Sequence, residues 1–587
     1  MTTALEPSWG DNQEIVFLGE WCKKYSKKHL WQKRQYQTLD YHWRDREKLK
    51  KDHTYLENLY EVTLLSLSTY LNELHCKDHE VDYWRLIVGP WLINYIPVLW
   101  DRWELISSLS EYEGELSTII INQDAPREIP DDYRHAVSLF DSHFWNHQIF
   151  ASIIDYRVDI NIKKEAVSFE FTHDVKVVRQ TLQSRLKLFL RRVLDISSEF
   201  FEQFFFTKSK IIFVHSYFPR KFLLQLFFRL GLVPRSLKKF DQTITYPNKS
   251  GRKNIDKIKI PLSADSLKSS FESFVSENIL YDIPTCHLEG YDVLHNIQVD
   301  LYQAENIFTA NAHFGNELFK VWTAEQKKLG SKLIISSHGG SFNALYSVFD
   351  HQEKIADFRV VWGRKWFKNQ VRLPANKLHV KMRSYYRQGD ISLIDNDYPN
   401  YSYRCAAIPM GPLSLETYKQ VRGLINLLSP QIRNKLKVRP KIWGKWEKEL
   451  RYIDEFGPEI ITTKSSIDDL IIKSRLVICT YPMTTFAQAM FSGVPTIIVY
   501  CEEFFEVQPI YENLISSLKD AGIMHTTEIS AANHIEQIYD DPMEWWNTEK
   551  VKLARLQFDD VCLTIDDDPI KSWTRFFMQL PKNEIST

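Results

Sequence analysis

Two short stretches carry residues whose types and spacing suit chemistry. In SSHGG (336–340) a histidine follows an apolar run and two glycines follow the histidine. Imidazole titrates near neutrality, so His338 suits a general base that takes a proton from an acceptor hydroxyl. Gly339 and Gly340 let the backbone turn sharply or approach a ligand, and with Asn343 they make a loop fit to line a cleft. The alternative is a structural histidine satisfied by its own turn. In RLVICTYPMTTFAQAMFSG (475–493) a hydroxyl-rich turn joins a β-type run to a helix-prone run closed by glycine. Thr480, Thr484 and Thr485 then fall between a strand's carboxyl end and a helix's amino end. Unpaired N–H groups and the helix dipole favour an anion there, by about 0.3–1 kcal/mol each. A threonine that simply caps the helix is the competing reading.

Weaker candidates join these. His313 in NAHFG follows the preceding strand much as His338 follows its own, and Asp141 with His143 in FDSHFWNH could point into the same cleft. Arg439 in KVRPK (437–441), beside a proline at a strand end, suits a phosphate clamp or an exposed charge. Asp395-Asn396-Asp397 has the D-x-D spacing of a metal–sugar-nucleotide site, but two carboxylates in a turn are commonplace. Arg179, Arg185, Lys187, Arg191 and Arg192 form a stripe that could touch anionic lipid, or a solvated helix face. G-x-G-x-x-G and the P-loop signature are absent, which argues against a dinucleotide or P-loop fold. With no H-E-x-x-H and no clustered Cys/His, no metal site is predicted.

The elements that must position these residues read as alternating strands and helices. KIIFVHSYFP (210–219), ENIFTANAHFG (305–315), KLIISSHGG (332–340) and IADFRVVWG (355–363) are strand-then-loop units; RKFLLQLFFRLG and ELFKVWTAEQKKLG are the helices between the first three. RQGDISLIDNDYPNYSYR (387–404) has the turn-rich character of a boundary. After it the alternation restarts with SYRCAAIPM, a helix at LETYKQVRGLINLLS, KLKVRPKI, and helix then strand through 466–500. Such alternation predicts an α/β fold with parallel sheets and functional loops at the strands' carboxyl ends. The expected division is 1–385, an acceptor-side α/β domain with helical insertions; 386–545, a Rossmann-like donor-binding domain; and 546–587, helices packing back across both. IVFLGEW (15–21) reads as a first strand and 50–74 as a helix.

Composition sets the bounds. The chain's 587 residues suggest about two to four domains. A net charge of −1 excludes a large single-sign field for nucleic acid. Seventeen Trp, 28 Tyr and 35 Phe favour large buried contacts and also suit sugar-facing clefts. Seven scattered cysteines without a C-x-x-C pair read as reduced thiols, pointing to the cytoplasm. The start, MTTALEPSWGDNQEI, shows no basic region followed by an apolar stretch. LIVGPWLINYIPVLW (86–100) is too short for a membrane span and holds two prolines.

FLGEWC, YWRLIVGPWL, SSHGG with IADFRVVWG, SRLVICTYPMTTFAQAM with GVPTI, and AGIMHTTEISAANHIEQIYDDPMEWW form an ordered set. As a set they resemble the transferase family found in bacterial O-antigen and surface-polysaccharide loci, nearly end to end. The second half is similar to the nucleotide-binding half of GT-B glycosyltransferases and, more distantly, to capsule Kdo transferases and polyglycerol-phosphate transferases. The resemblance implies a GT-B-like fold of two Rossmann-like domains around a cleft, with Thr484 and Thr485 on the donor phosphate. It also implies a catalytic role for His338-Gly339. Gln488 stands where those relatives often carry Glu, and Arg439-Pro440 where the Kdo enzymes carry His-Pro. The implied reaction moves a sugar, a nonulosonate or Kdo-like acid among the options, from a nucleotide-activated donor to a surface glycan or lipid-linked acceptor. It needs no cofactor; the expected location is the cytoplasm, with peripheral contact with the inner membrane surface as an option. CDP-glycerol or ribitol-type phosphotransfer and a non-catalytic glycan-assembly scaffold are the alternatives.

Overall fold

The computed structural model describes residues 1–10, 14–122, 125–169, 208–232, 238–247, 252, 257–377, 381–441, 444–463 and 466–581. The basic stripe from Arg179 to Arg192 lies outside the described residues. Two five-stranded parallel sheets dominate. The first runs, in spatial order, β1 (Lys208–Val214), β2 (Gln303–Thr309), β3 (Lys332–Ser336), β4 (Phe358–Val361) and β5 (Gln370–Arg372). The second comprises β6 (Ile391–Ile394), β7 (Leu436–Arg439), β8 (Leu476–Cys479), β9 (Thr496–Val499) and β10 (Met524–His525), in the order β7-β6-β8-β9-β10. Every pairing within both sheets is parallel.

Alternation along the strands explains why both faces are covered. In the first sheet Ile212, Val214, Ile307, Leu333 and Ile335 face the large N-terminal core. The intervening Ile211, Phe213, Phe308, Ile334 and Val360 face the opposite way. The N-terminal core is built on α1 (Arg46–His75) and the almost wholly buried α2 (Gly89–Ser107). LIVGPWLINYIPVLW thus lies in the core, Leu86 and Ile87 ending one helix and residues 89–100 beginning α2. Among the described residues no helix is long and apolar enough to cross a membrane. Arg102 of α2, fully buried, donates to Asp101, to the Asn146 side chain and to the carbonyls of Phe140 and Ser402. It thereby ties the helical core to the loop that follows β6.

The chain end spans both sheets. The last two helices are α8 (Glu549–Cys562) and α9 (Pro569–Met578). Phe558 of α8 packs in the core of the second sheet with Phe342 and Phe486, whereas Trp573 and Phe577 of α9 cover Phe213 and Phe308 of the first. Three sequence expectations need correction. Ile391–Ile394, inside the presumed boundary, is β6, the strand between β7 and β8; all four residues are buried, so the run shows no alternation to mark it. SYRCAAIPM forms no strand and is the irregular lip after β6. IVFLGEW is a strand only over Glu14–Phe17, and it pairs with Gln35–Thr38 in a separate two-stranded ribbon.

Candidate active site

The second sheet reverses direction at β6: the chain goes out to β7 and returns past β6 to β8. In such sheets the crevice outside the strands' carboxyl ends at this switch point is where ligands sit. Here it is a narrow crevice lined by Asn396, Tyr398, Thr480, Tyr481 and Tyr500. The Tyr398 hydroxyl is buried there. Thr480 donates to Asp395 Oδ1 at 3.1 Å, and Tyr452 donates to Asp395 Oδ2 at 2.8 Å, so the wall of the crevice is rigid. Asp397 accepts from Ser414 and from the Tyr398 and Trp446 amides. Both D-x-D carboxylates are therefore buried and spent on holding loops.

Arg439 ends β7 at the same edge. It is buried and donates a 3.4 Å bond to the Thr462 carbonyl; no carboxylate pairs with it among the described residues. A guanidinium removed from water without a counter-charge is costly, and it invites an anion. After β8 comes α7 (Thr484–Ser492), which no side chain caps and which closes at Gly493 with φ +83°. Thr485 shares a hydrogen bond with the Tyr481 hydroxyl at 2.5 Å.

The first sheet supplies the facing wall. His338 follows β3 and is exposed. Its crowded surroundings push its pKa down, as do the charges of Arg359, Lys377 and Arg404; a bond with the Ala310 backbone opposes them. The imidazole is therefore neutral at neutral pH, as a proton acceptor must be. Tyr217, after β1, lies beside it with ring centroids 6.1 Å apart.

The two sequence motifs meet. The Gly340 amide donates to Thr484 Oγ1 at 3.0 Å, Ser341 donates to the Pro482 carbonyl at 3.0 Å, and the Phe342 amide to the same carbonyl at 3.2 Å. A Cβ on Gly339 would stand 2.2 Å from Thr484 Oγ1, so glycine is what permits this approach. Asn343 donates to the Tyr511 hydroxyl at 2.6 Å, and Ala344 bridges to Val507. The histidine loop is thus a strap laid on the second half.

Other expected site residues are placed elsewhere. Asp141 accepts from the Asn400 amide at 2.8 Å and faces Lys445 at 3.3 Å; it holds the loop after β6. Burial raises its pKa, with Lys445 opposing. His313 is fully buried, bonded to Gln352 at 3.2 Å, and burial drives its pKa well below the ordinary histidine value. Gln488 donates to Asp468 at 3.3 Å, on the helix before β8, so it belongs to packing rather than to the crevice. Sequence reasoning missed Arg404, whose buried Nε has no partner among the described residues, and Tyr217. Arg404 sits in the stretch taken for a boundary, and no local signal set Tyr217 apart from other strand-end aromatics. Cys286 and His287, adjacent in sequence, and Glu317 bring ligand atoms within 4.8 Å of one another. Lys320 already stands 2.7 Å from Glu317 Oε2 and neutralises it.

A family model described as LIC12162 family transferase matches residues 1–577. A crystal structure of Acinetobacter baumannii MurG is similar at 11% identity, covering 64% of this chain and 100% of its own, with a TM-score of 0.32. WaaG, titled a glycosyltransferase involved in lipopolysaccharide biosynthesis, is similar at 10% identity, covering 63% and 100%, with a TM-score of 0.28. Comparison with curated proteins gives no match.

Proposed function

The chain belongs to the LIC12162 transferase family, and from that premise we propose that it transfers a sugar from a nucleotide-activated donor to a glycan acceptor. The observation that carries this reading is how the two halves dock. The loop that bears exposed His338 is bonded through Gly340 to Thr484 at the start of α7, a helix with no side-chain cap, and buried Arg439, without a carboxylate partner among the described residues, ends β7 of the same sheet. The donor's phosphates would lie along the edge from Arg439 to the first amides of α7, about 10 Å at normal strand spacing. Thr480 and Thr485 would shape that edge, while Thr484, its oxygen taken by Gly340, would register the two walls. His338 would accept the proton of the attacking hydroxyl as the glycosidic bond forms and the nucleotide departs.

A nonulosonate or Kdo-like sugar and a surface-polysaccharide acceptor are the finer form of this proposal. The cations about His338 support an acidic sugar: Lys377 and Arg404 bear on that position, whereas Arg359 is buried and already faces Glu353 at 3.4 Å. A lipid-linked acceptor would be met at a membrane surface. α4 (Arg220–Leu230) supports such contact: Phe228 is 88% and Leu224 59% exposed on it, beside Arg220, Lys221 and Arg229.

The test is donor turnover. The protein is incubated with a panel of nucleotide sugars and release of free nucleotide is followed by chromatography. One donor should be consumed, and His338→Ala should slow its consumption by roughly 10²-fold or more. Consumption of no donor, or a wild-type rate in His338→Ala, would sink the assignment.

A further inference from the structure

The loop after β1 holds two residues that backbone energetics disfavour. His215 has φ +47° and Tyr217 φ +60°, in the left-handed region where a side chain other than glycine is strained. The loop is also tied down from several sides. The Ala310 amide donates to the His215 carbonyl at 3.1 Å, Asn376 donates to the Ser216 carbonyl at 2.7 Å, and Asn311 donates to the Tyr217 hydroxyl at 3.3 Å. His215 itself contacts Asp241 at 3.1 Å. The outcome is an aromatic ring, 42% exposed, standing beside His338 with the two ring planes 29° apart. Strain kept in place by surrounding bonds marks functional positions more often than incidental ones.

Resting on the glycosyl-transfer reading above, we infer that Tyr217 is the floor of the acceptor subsite, and that the acceptor is a pyranose presenting an apolar C–H face. A pyranose carries axial C–H bonds on its faces and hydroxyls around its rim. An exposed phenol ring takes the first, and a neighbouring neutral imidazole takes the second. With the ring centroids 6.1 Å apart, a sugar lying on Tyr217 carries a rim hydroxyl to His338. The Tyr217 hydroxyl is already held by Asn311, so the ring contributes its face and not its oxygen.

The experiment is saturation-transfer NMR of the full-length protein with methyl glucoside, galactoside, mannoside and N-acetylglucosaminide. Wild type should transfer saturation to the C–H protons of one face of at least one pyranoside. Tyr217→Ser should weaken that binding roughly threefold to tenfold, while Tyr217→Phe and Tyr217→Trp should retain it. Tyr217→Gly relieves the backbone strain, so it should lose binding and melt at a higher temperature than wild type, which separates lost function from lost fold. Absence of any pyranoside signal in wild type, equal binding in Tyr217→Ser, or loss in Tyr217→Phe as great as in Tyr217→Ser would overturn the inference. Donor turnover keeps the two proposals apart. Donor consumed with Tyr217 irrelevant removes only the subsite; pyranoside bound on Tyr217 with no donor consumed removes only the reaction.

Discussion

At the scale of single residues, His338 and Gly339 make opposite demands on their surroundings. His338 must stay neutral and reachable. Desolvation and three nearby cations lower its pKa, so the group stays a base to a lower pH than a free histidine, whose value is about 6.5. The acid limb of the pH profile of kcat/KM for donor turnover should therefore fall below pH 6.5, with activity lost as pH drops through the lowered pKa. A limb at or above the free value would assign the base elsewhere. Gly339 must stay small. Gly339→Ala should force Thr484 aside and break its bond with Gly340, costing about 0.5–1.5 kcal/mol in urea unfolding. An unchanged midpoint would show that the two walls are not registered by this contact. The sequence made both positions visible because a histidine followed by two glycines after an apolar run is unusual. It could not show that Thr484 Oγ1 is turned toward Gly340, because that depends on how two distant loops dock.

At the scale of elements, most strands and helices announce themselves through period. RKFLLQLFFRLG becomes α4 and stops at Gly231, whose φ of +62° is the left-handed conformation expected of a closing glycine. β6 stayed hidden because four buried residues between polar turns carry no alternation and little length. That omission also hid the switch point, and with it the reason Arg439 and Thr480 share one edge. α4 yields a prediction of its own. In co-sedimentation with anionic phosphatidylglycerol vesicles, wild type should pellet with lipid, and salt should weaken the association. Leu224→Ser/Phe228→Ser should stay largely in the supernatant; equal pelleting of the double variant would remove α4 as the contact.

At the scale of the whole molecule, the fold is one of buried neutral histidines as well as apolar cores. His143 and His351 are pushed down to about 3, and His147 to about 4, chiefly by burial. Each is depressed in the folded state, so the unfolded chain binds more protons at any pH between those values and about 6.5. Stability is then fully present above about 6.5 and is lost as pH falls toward 4. Thermal melts should show a steady Tm at pH 7 to 8 and a progressive decline below about 6.5. A Tm unchanged from pH 7.5 to 5 would contradict the burial of these rings. The two parallel sheets, the helical core and the crossing pair α8 and α9 together hold the cleft's walls in register. For glycosyl transfer the wall bearing Arg439 must bind a donor nucleotide, which titration calorimetry with UDP, CDP, CMP, GDP and TDP on wild type, Arg439→Gln and His338→Ala measures. Wild type should bind one of these, Arg439→Gln should lose at least about tenfold in affinity, and His338→Ala should bind as wild type does. Binding of none of the five, or binding indifferent to Arg439→Gln, would contradict it.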